Sequence, residues 1–568
     1  MGSTRFGKVI FAGALLVWGC SSGSTGQGSG SGGSTSTGGT TATGGTTATG
    51  GTTSTGTGGT PSTGTGGTLG TGGETAAGGS TGSGGAGAAG RSGAAGSGTA
   101  GRGGSAGAGS GNAGAPGTGG SVGGSSGVTV QLGQKRQTIE GFGLNTALGG
   151  GTFNWDNLFG TSGADAIGLS IVRVGMNSDG SLSGDVSGAK SHSVKIIGSV
   201  WTAPASWKDN GNESKGGHLM QTHYDDFATR IATFAKNQGL YAMSAANEPD
   251  FASCGSTIGP PCNGDYVTMV YTANEMVNFV KILGPKLKAN NVKLMAPEPS
   301  EWIHLWSNTS ATGSTISSHP NSSDPLGCGC FGNSPTTTGC ASKCATGEGY
   351  DYGHFLAKDP TAWGAVDIIA THEYDSQKAE PWPADVDGGK RSKEVWETEV
   401  SGVMYWPEQG PSSDINNGIV VAGWIHSALV VGEASAWLYW WYKPSGNDNE
   451  GIVLSSGAIT KRYYTIGNYS KFVRPNYVMV DVTGNTNANV LLSAFSGTDA
   501  TVIVAVNKST SAVTMPITIA GGTAAPASCT PNVTSSTDNL KAGTAVTVTG
   551  GTFTASLAGS SVTTFVCK

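Results

Sequence analysis

Between residues 21 and 127 the sequence has almost no apolar side chain large enough to bury; it is Gly, Ser, Thr and Ala, with "TGGTTATGGTTATGG" as a near-repeat. Nothing there offsets the entropy of ordering, which excludes a folded domain and leaves a flexible tether. Glycine does not recur at every third position and proline is scarce, so a collagen-type triple helix is excluded too. The foldable chain is therefore residues 128–568, enough for one barrel-sized domain and a smaller β unit. An excess of basic residues is also missing: 31 Lys and Arg against 37 Asp and Glu give a net charge of −6. Such a chain has no field for nucleic acid or another polyanion.

The amino terminus reads as an export signal. Arg5 and Lys8 precede an apolar run, Val9 to Trp18, too short to span a bilayer as a stable helix. Gly19-Cys20 then resembles the lipobox of bacterial lipoproteins, which implies that Cys20 is acylated and becomes the first mature residue. Trp18 is bulky for that motif, and the alternative is an ordinary secretory signal. Either reading places the protein outside the cell or on its outer surface, held to a membrane only through the lipid.

Of nine cysteines, eight remain if Cys20 carries lipid, and an even number in an oxidising compartment favours disulfides. Cys254 and Cys262 bracket a short Gly/Pro loop, and Cys529 and Cys567 bracket the last strands; each is a plausible local pair. The cluster "CGCFGNSPTTTGCASKC", with Cys328, Cys330, Cys340 and Cys344, contains no histidine and lies in a polar, turn-rich insertion. It reads as a disulfide-stapled loop ahead of a zinc site.

From Val128 short apolar runs alternate with helix-like segments. "IEGFGLN", "LSIVRV", "SVKIIGSVWTAP", "LYAMSAANEP", "NVKLMAPEP", "VDIIATHEYD", "KEVWETEVS" and "SAWLYWWY" are near-continuous apolar strands, as expected for a parallel sheet buried on both faces. "THYDDFATRIATFAKNQG", "YVTMVYTANEMVNFVKILGPKLKANN" and "INNGIVVAGWIHSALVVGEA" are the helical candidates between them. Eight such units point to an α/β fold of the (β/α)8 barrel type over 128–474. After Pro475, "VMVDVTG", "NVLLSAFSG", "ATVIVAVNK", "VTMPITIAG" and "SVTTFVCK" alternate apolar and polar residues. They read as an antiparallel β unit, a side sandwich over 475–568, joined by the early strand "GVTVQLG".

In a barrel of this kind chemistry belongs at the carboxyl ends of the strands. Glu248 falls there in "NEPD", at the end of the fourth strand, and Glu399 after "KEVW", at the end of the seventh. Each alone reads as a solvated loop acid. Together, at the ends of these two strands, they can converge across the barrel mouth as a general acid and a nucleophile.

These motifs, in order, resemble glycoside hydrolase family 30, whose members have (β/α)8 barrels and a retaining mechanism. The resemblance runs from about residue 133 to 568: "QTIEGFG" matches the opening strand, "VWTAPASWK" with "GGHL" the third strand and loop, "NEPD" the acid/base motif, "VWETEVSG" the nucleophile motif, and "KRYYTIGNYSKFVRP" the return into the side β domain. It implies Glu248 as general acid/base and Glu399 as nucleophile. Glu397, expected to share a strand face with Glu399, is the rival, and the family pattern Trp-x-Thr-Glu favours Glu399. The resemblance further implies that Asn247 binds the sugar 2-hydroxyl, that Arg173 keeps the nucleophile ionised, and that Tyr374 orients it. His372 is either a satisfied barrel histidine or a sugar contact. Trp201 and Trp440, at strand ends, are candidate platforms for pyranose faces, whereas Trp207 more plainly belongs to the core. Pro249 is expected to bias Glu248 toward extended backbone.

Two carboxyl groups suffice for this chemistry, so no cofactor or metal is expected, and the partner is a polysaccharide bound by a monomer. The nearest branch is that of endo-β-1,4-xylanases; β-1,6-glucanase, β-1,6-galactanase and glucosylceramidase activities share the fold and both acids. A non-catalytic polysaccharide-binding surface protein is the reading from another class. "LYWWYKPSGNDNEG" resembles the xylanase branch but has Lys443-Pro444 where glucuronoxylan-specific members carry a basic pair ending in arginine. The expectation is weak dependence on glucuronate, unless Lys461 or Arg462 supplies the cation.

Overall fold

The computed structural model describes residues 127–148, 152–214, 216–250, 267–306, 351–374, 379–402, 414–443 and 450–568. Cys20, the tether up to residue 126, Cys254, Cys262 and the cluster Cys328, Cys330, Cys340 and Cys344 lie outside them, and so do the expectations attached to those residues.

The first strand, β1 (Val128–Thr138), belongs to a second sheet. The chain then enters a closed barrel through β2 (Gly141–Asn145), β3 (Ile171–Met176), β5 (Lys195–Val200), β6 (Ala242–Ser244), β7 (Lys293–Pro297), β8 (Ile368–His372), β9 (Glu394–Val400) and β10 (Ala436–Tyr439), with β4 (Leu182–Ser183) a short antiparallel addition to β3. Neighbours are parallel in that order, and β10 pairs back with β2. Each of the eight apolar runs supplies one strand. In β3 all six residues are buried, as a strand covered on both faces must be. Ile171, Ile197, Ala242, Met295, Ile368, Ala370, Trp396, Ala436 and Leu438 form one cluster that fills the barrel interior, so the barrel is a packed core open to chemistry only at its end.

Helices cover the outside. The helix of Tyr224–Gln238 buries Phe227, Ile231 and Phe234, and stops where Gly239 turns left-handed at φ 68°. The helix of Ala273–Lys288 starts inside its apolar stretch because Thr272 and Glu275 form a reciprocal capping box there.

The second sheet contains β1, β11 (Val478–Thr483), β12 (Val490–Ser496), β13 (Thr501–Asn507), β14 (Val513–Ala520), β15 (Ser528–Thr534), β16 (Lys541–Ala542), β17 (Val546–Thr547), β18 (Thr552–Leu557) and β19 (Ser561–Cys567). Its pairings are antiparallel except that β1 runs parallel to β14. The strands β15 and β18 were not among the expected ones: Pro531 and Asn532 interrupt one, and the other alternates on Phe553, Ala555 and Leu557, where alanine gives a weak apolar signal. Cys529 and Cys567 face each other across β15 and β19 and are joined by a disulfide. The helix of Lys461–Ser470, wholly buried, ties the sheet to the barrel through Asn468, which donates to Asn532 O and Thr564 Oγ1.

Candidate active site

Five strand ends bring charged side chains to one spot. Beyond β6, Asn247 N–H donates to Val200 O and Glu248 N–H to Glu298 O, which ties this segment to the ends of β5 and β7. Glu248 does not take the extended backbone expected before Pro249: its φ is 45°. The tertiary hydrogen bonds override the local preference, and holding a non-glycine residue there costs on the order of 1–3 kcal/mol. Glu298, also followed by proline, sits at φ 65°.

Glu399 reaches the site through an irregularity in β9. The register with β8 pairs Ala370 with Trp396 and Thr371 with Glu397, then jumps to His372 with Glu399. This bulge corrects the expectation that Glu397 and Glu399 share a face. Because one extra residue inverts the alternation, Glu399 follows Trp396 into the barrel, whereas the Glu397 carboxyl accepts from the N–H groups of Glu399 and Leu438.

Arg173, fully buried, is the hub. Its Nη1 donates to Glu399 Oε2 at 2.6 Å, its Nε to Glu298 Oε1 at 3.2 Å and its Nη2 to Asn247 Oδ1 at 2.6 Å. Asn247 therefore keeps its NH2 as the donor that Arg173 does not use. Tyr374 OH donates to the other carboxyl oxygen, Glu399 Oε1, at 3.0 Å. Ser401 stands 3.4 Å from the same hydroxyl and donates in turn to Glu450. His372 Nδ1 lies 3.1 Å from Glu248 Oε1, and its Nε2 is 3.7 Å from Glu298, which stands between the two cations.

These neighbours move the acidities in opposite directions. Burial pushes the Glu248 carboxyl up to about 7, reinforced by Glu399 and Asp250 and opposed by His372. Burial acts the same way on Glu298, but Arg173, His372 and Ser199 outweigh it and hold Glu298 down at about 2. Burial disfavours the His372 imidazolium, yet Glu399, Glu248 and Glu298 raise it to about 10. At neutral pH the site therefore holds two cations, Arg173 and His372, around the ionised Glu298, with Glu248 able to keep its proton. One oxygen of Glu248, one of Glu399 and a nitrogen of His372 lie within 4.8 Å of one another. That spacing alone would suit a metal, but an imidazolium has no lone pair to give and Arg173 already holds Glu399 Oε2.

His372 is fully buried, and its closest carboxylate is Glu248. Trp201 and Trp440 meet edge to face with centroids 6.3 Å apart, and the Arg173 guanidinium lies 5.4 Å over Trp201. With Ala147 and Trp441 they form one buried cluster just past the ends of β2, β5 and β10. The indole N–H groups of Trp201 and Trp441 and the Asn145 Nδ2 are buried there without a partner among the described residues. Trp207 is stacked on His223 with Arg230 over it, which makes it part of the packing. Lys461 and Arg462 cannot serve as the alternative clamp: Lys461 donates to Asp538 O and Asn539 Oδ1, and Arg462 to Gly451 O. Glu298, Ser199, Ser401 and Glu450 were not singled out from the sequence. For Glu298 a signal existed, since "PEP" at the end of the fifth strand repeats the Glu-Pro of "NEP" at the end of the fourth.

No protein-family model matches the chain. It is 30% identical over 465 residues to glucuronoxylanase XynC of Bacillus subtilis (strain 168), covering 78% of this chain and 92% of that protein. A crystal structure of a family 30 subfamily 8 xylanase, Xyn30A from Clostridium acetobutylicum, superposes with a TM-score of 0.58 at 26% identity over 78% of this chain and all of that one. A GH30 endoxylanase from Clostridium papyrosolvens C71 gives 0.56 at 26% identity, covering 78% of this chain and 99% of that one.

Proposed function

This chain belongs to glycoside hydrolase family 30, on its xylanase branch, and on that premise we propose that it is a retaining endo-β-1,4-xylanase with Glu248 as general acid/base and Glu399 as nucleophile. The observation that carries the reading is the spacing of the two carboxyl groups. Their nearer oxygens lie within 4.8 Å, close enough for direct attack on the anomeric carbon and too close for the water that an inverting enzyme places between them. In the first step Glu399 forms a bond to the anomeric carbon as the glycosidic C–O bond breaks, and the Glu248 proton goes to the leaving oxygen. In the second, Glu248 takes a proton from water, whose oxygen replaces Glu399 on that carbon. Arg173 and Tyr374 hold Glu399, and the Asn247 NH2 is the donor for the sugar 2-hydroxyl.

The substrate follows from the relatives and the mouth. The similar proteins are xylanases by name, and Trp201 and Trp440, at strand ends beside the acids, are the candidate platforms for a pyranose chain. For a glucuronate branch Lys443 offers a point charge and no arginine fork, so dependence on that branch is weak. The export signal supports a secreted protein, tethered at a bacterial outer surface through Cys20. Product analysis on xylans and β-1,6-linked glucans tests the reading. Xylo-oligosaccharides with retained configuration are expected, and cleavage only of the β-1,6 glucans would overturn it. Reducing the acid groups of glucuronoxylan should lower kcat/KM less than about tenfold, the loss of less than one charged hydrogen bond.

A further inference from the structure

Glu397 is fully buried, and nothing in the two-step reaction requires a third carboxyl group beside Glu399. Its position coincides with the break in β9. On the β8 side, Thr371 pairs with Glu397 and His372 with Glu399, which leaves Thr398 as the surplus residue. On the β10 side, Trp437 pairs with Glu397 and Tyr439 with Val400, so Leu438 alone faces two residues. A strand bulged against both neighbours loses ladder contacts on each side and needs other groups to hold it. Thr398 Oγ1 donates to Thr371 O at 3.2 Å and closes one side. On the other side the Glu397 carboxyl spans the gap: Oε1 accepts the Glu399 N–H at 2.9 Å and Oε2 the Leu438 N–H at 3.1 Å. Without the extra residue, alternation would put Thr398 opposite His372 and turn Glu399 out of the barrel.

We propose that Glu397 is a positioning residue for the nucleophile, its two carboxyl oxygens fixing the β9 bulge through the N–H groups of Glu399 and Leu438 and so aiming Glu399 at the anomeric carbon. This rests on the reading of Glu399 as nucleophile. The fork matters more than the charge: burial pushes the Glu397 carboxyl well above the usual range, and the two N–H groups only partly oppose that. Glutamine keeps the size and neutrality but has one acceptor, and methionine keeps the length and has no comparable acceptor. A buried N–H left facing an amide NH2 moves away, and a small displacement of a reacting group is costly in rate.

The test uses Glu397→Gln and Glu397→Met in the full chain, with xylan as substrate. In the glutamine variant kcat should fall about ten- to hundredfold with KM within about threefold, a misplaced reacting group and not lost binding. A readout that a merely structural role would not spare comes from azide. In the Glu399→Ala enzyme azide takes the nucleophile's place, so adding Glu397→Gln should leave the azide-supported rate unchanged within about twofold, because nothing remains to be aimed. The inference is overturned by wild-type kcat in Glu397→Gln, by a rise in KM at unchanged kcat, or by an azide-supported rate that falls as far as kcat does. Failure of both variants to fold would also overturn it, making Glu397 a folding residue. If azide does not rescue Glu399→Ala at all, it is the nucleophile assignment that fails.

Discussion

At the amino ends of the barrel strands Lys195 pairs with Glu140, Lys293 donates to Tyr241 OH and approaches Glu394, and both lysines lie over the Tyr241 ring. At the carboxyl ends Arg173 and His372 meet Glu298, Glu248 and Glu399. The inventories are similar and the surroundings are not. The floor lysines keep 28% and 38% of their side chains exposed, whereas Arg173, His372 and Glu298 keep none. Water screens the floor pairs, so each charge needs only a nearby partner. In the dry mouth every charge acts on every other, and three groups of ordinary acidity spread from about 2 for Glu298 through about 7 for Glu248 to about 10 for His372. The same strands thus anchor the fold at one end and set proton affinities at the other.

The comparison breaks most visibly at the mouth. Glu399→Ala should lower kcat by about four to six orders of magnitude, with azide restoring turnover and giving the inverted glycosyl azide. Glu248→Ala should cost about 10²–10⁴-fold in kcat. Equal, small losses in both would reduce the mouth to a charged surface like the floor. Next, Glu298→Gln leaves Arg173 and His372 buried with one fewer counter-charge, and denaturant unfolding should show about 3–5 kcal/mol lost.

The acidity of Glu248 gives a pH test. In the proposed reaction its proton serves the first step, and it is lost as pH rises through about 7, so kcat/KM should fall on the alkaline side from there. His372 favours the Glu248 carboxylate and so holds that value down. His372→Asn removes this opposition, and the alkaline limb should move upward by on the order of one pH unit; a downward move would reverse the assigned coupling. The smallest effect belongs to the floor. Lys195→Ala should cost about 0–1 kcal/mol of stability and leave kcat unchanged, as a water-screened pair does; a loss matching that of Glu298→Gln would erase the contrast between the two ends.

Much of the barrel was legible because most of its strands are apolar runs that end abruptly in polar residues, as "VDIIATHEYD" does. Burial on both faces writes that pattern into composition, and it needs no knowledge of which side chain points where. What depended on direction was lost. The β9 bulge reverses the alternation that made Glu397 a rival to Glu399, and the left-handed backbone of Glu248 comes from partners in β5 and β7 that no local rule anticipates. Lys461 and Arg462 looked available beside the last barrel loop, but their helix turns both toward backbone and side-sheet partners. Glu298 escaped because a single acid before a proline reads as a turn; only the network around Arg173 shows that it is the counter-charge.

A bond from Glu399 to sugar is the central step of the proposed reaction, and trapping that bond tests it most directly. The enzyme is incubated with a 2-deoxy-2-fluoro-xylobioside carrying an activated leaving group, digested, and its peptides sequenced by mass spectrometry. The result expected is a single fluoroglycosyl label on Glu399, formed with the wild-type enzyme and absent from Glu399→Ala. A label on Glu397, or turnover of xylan to product of inverted configuration with no label at all, would contradict it.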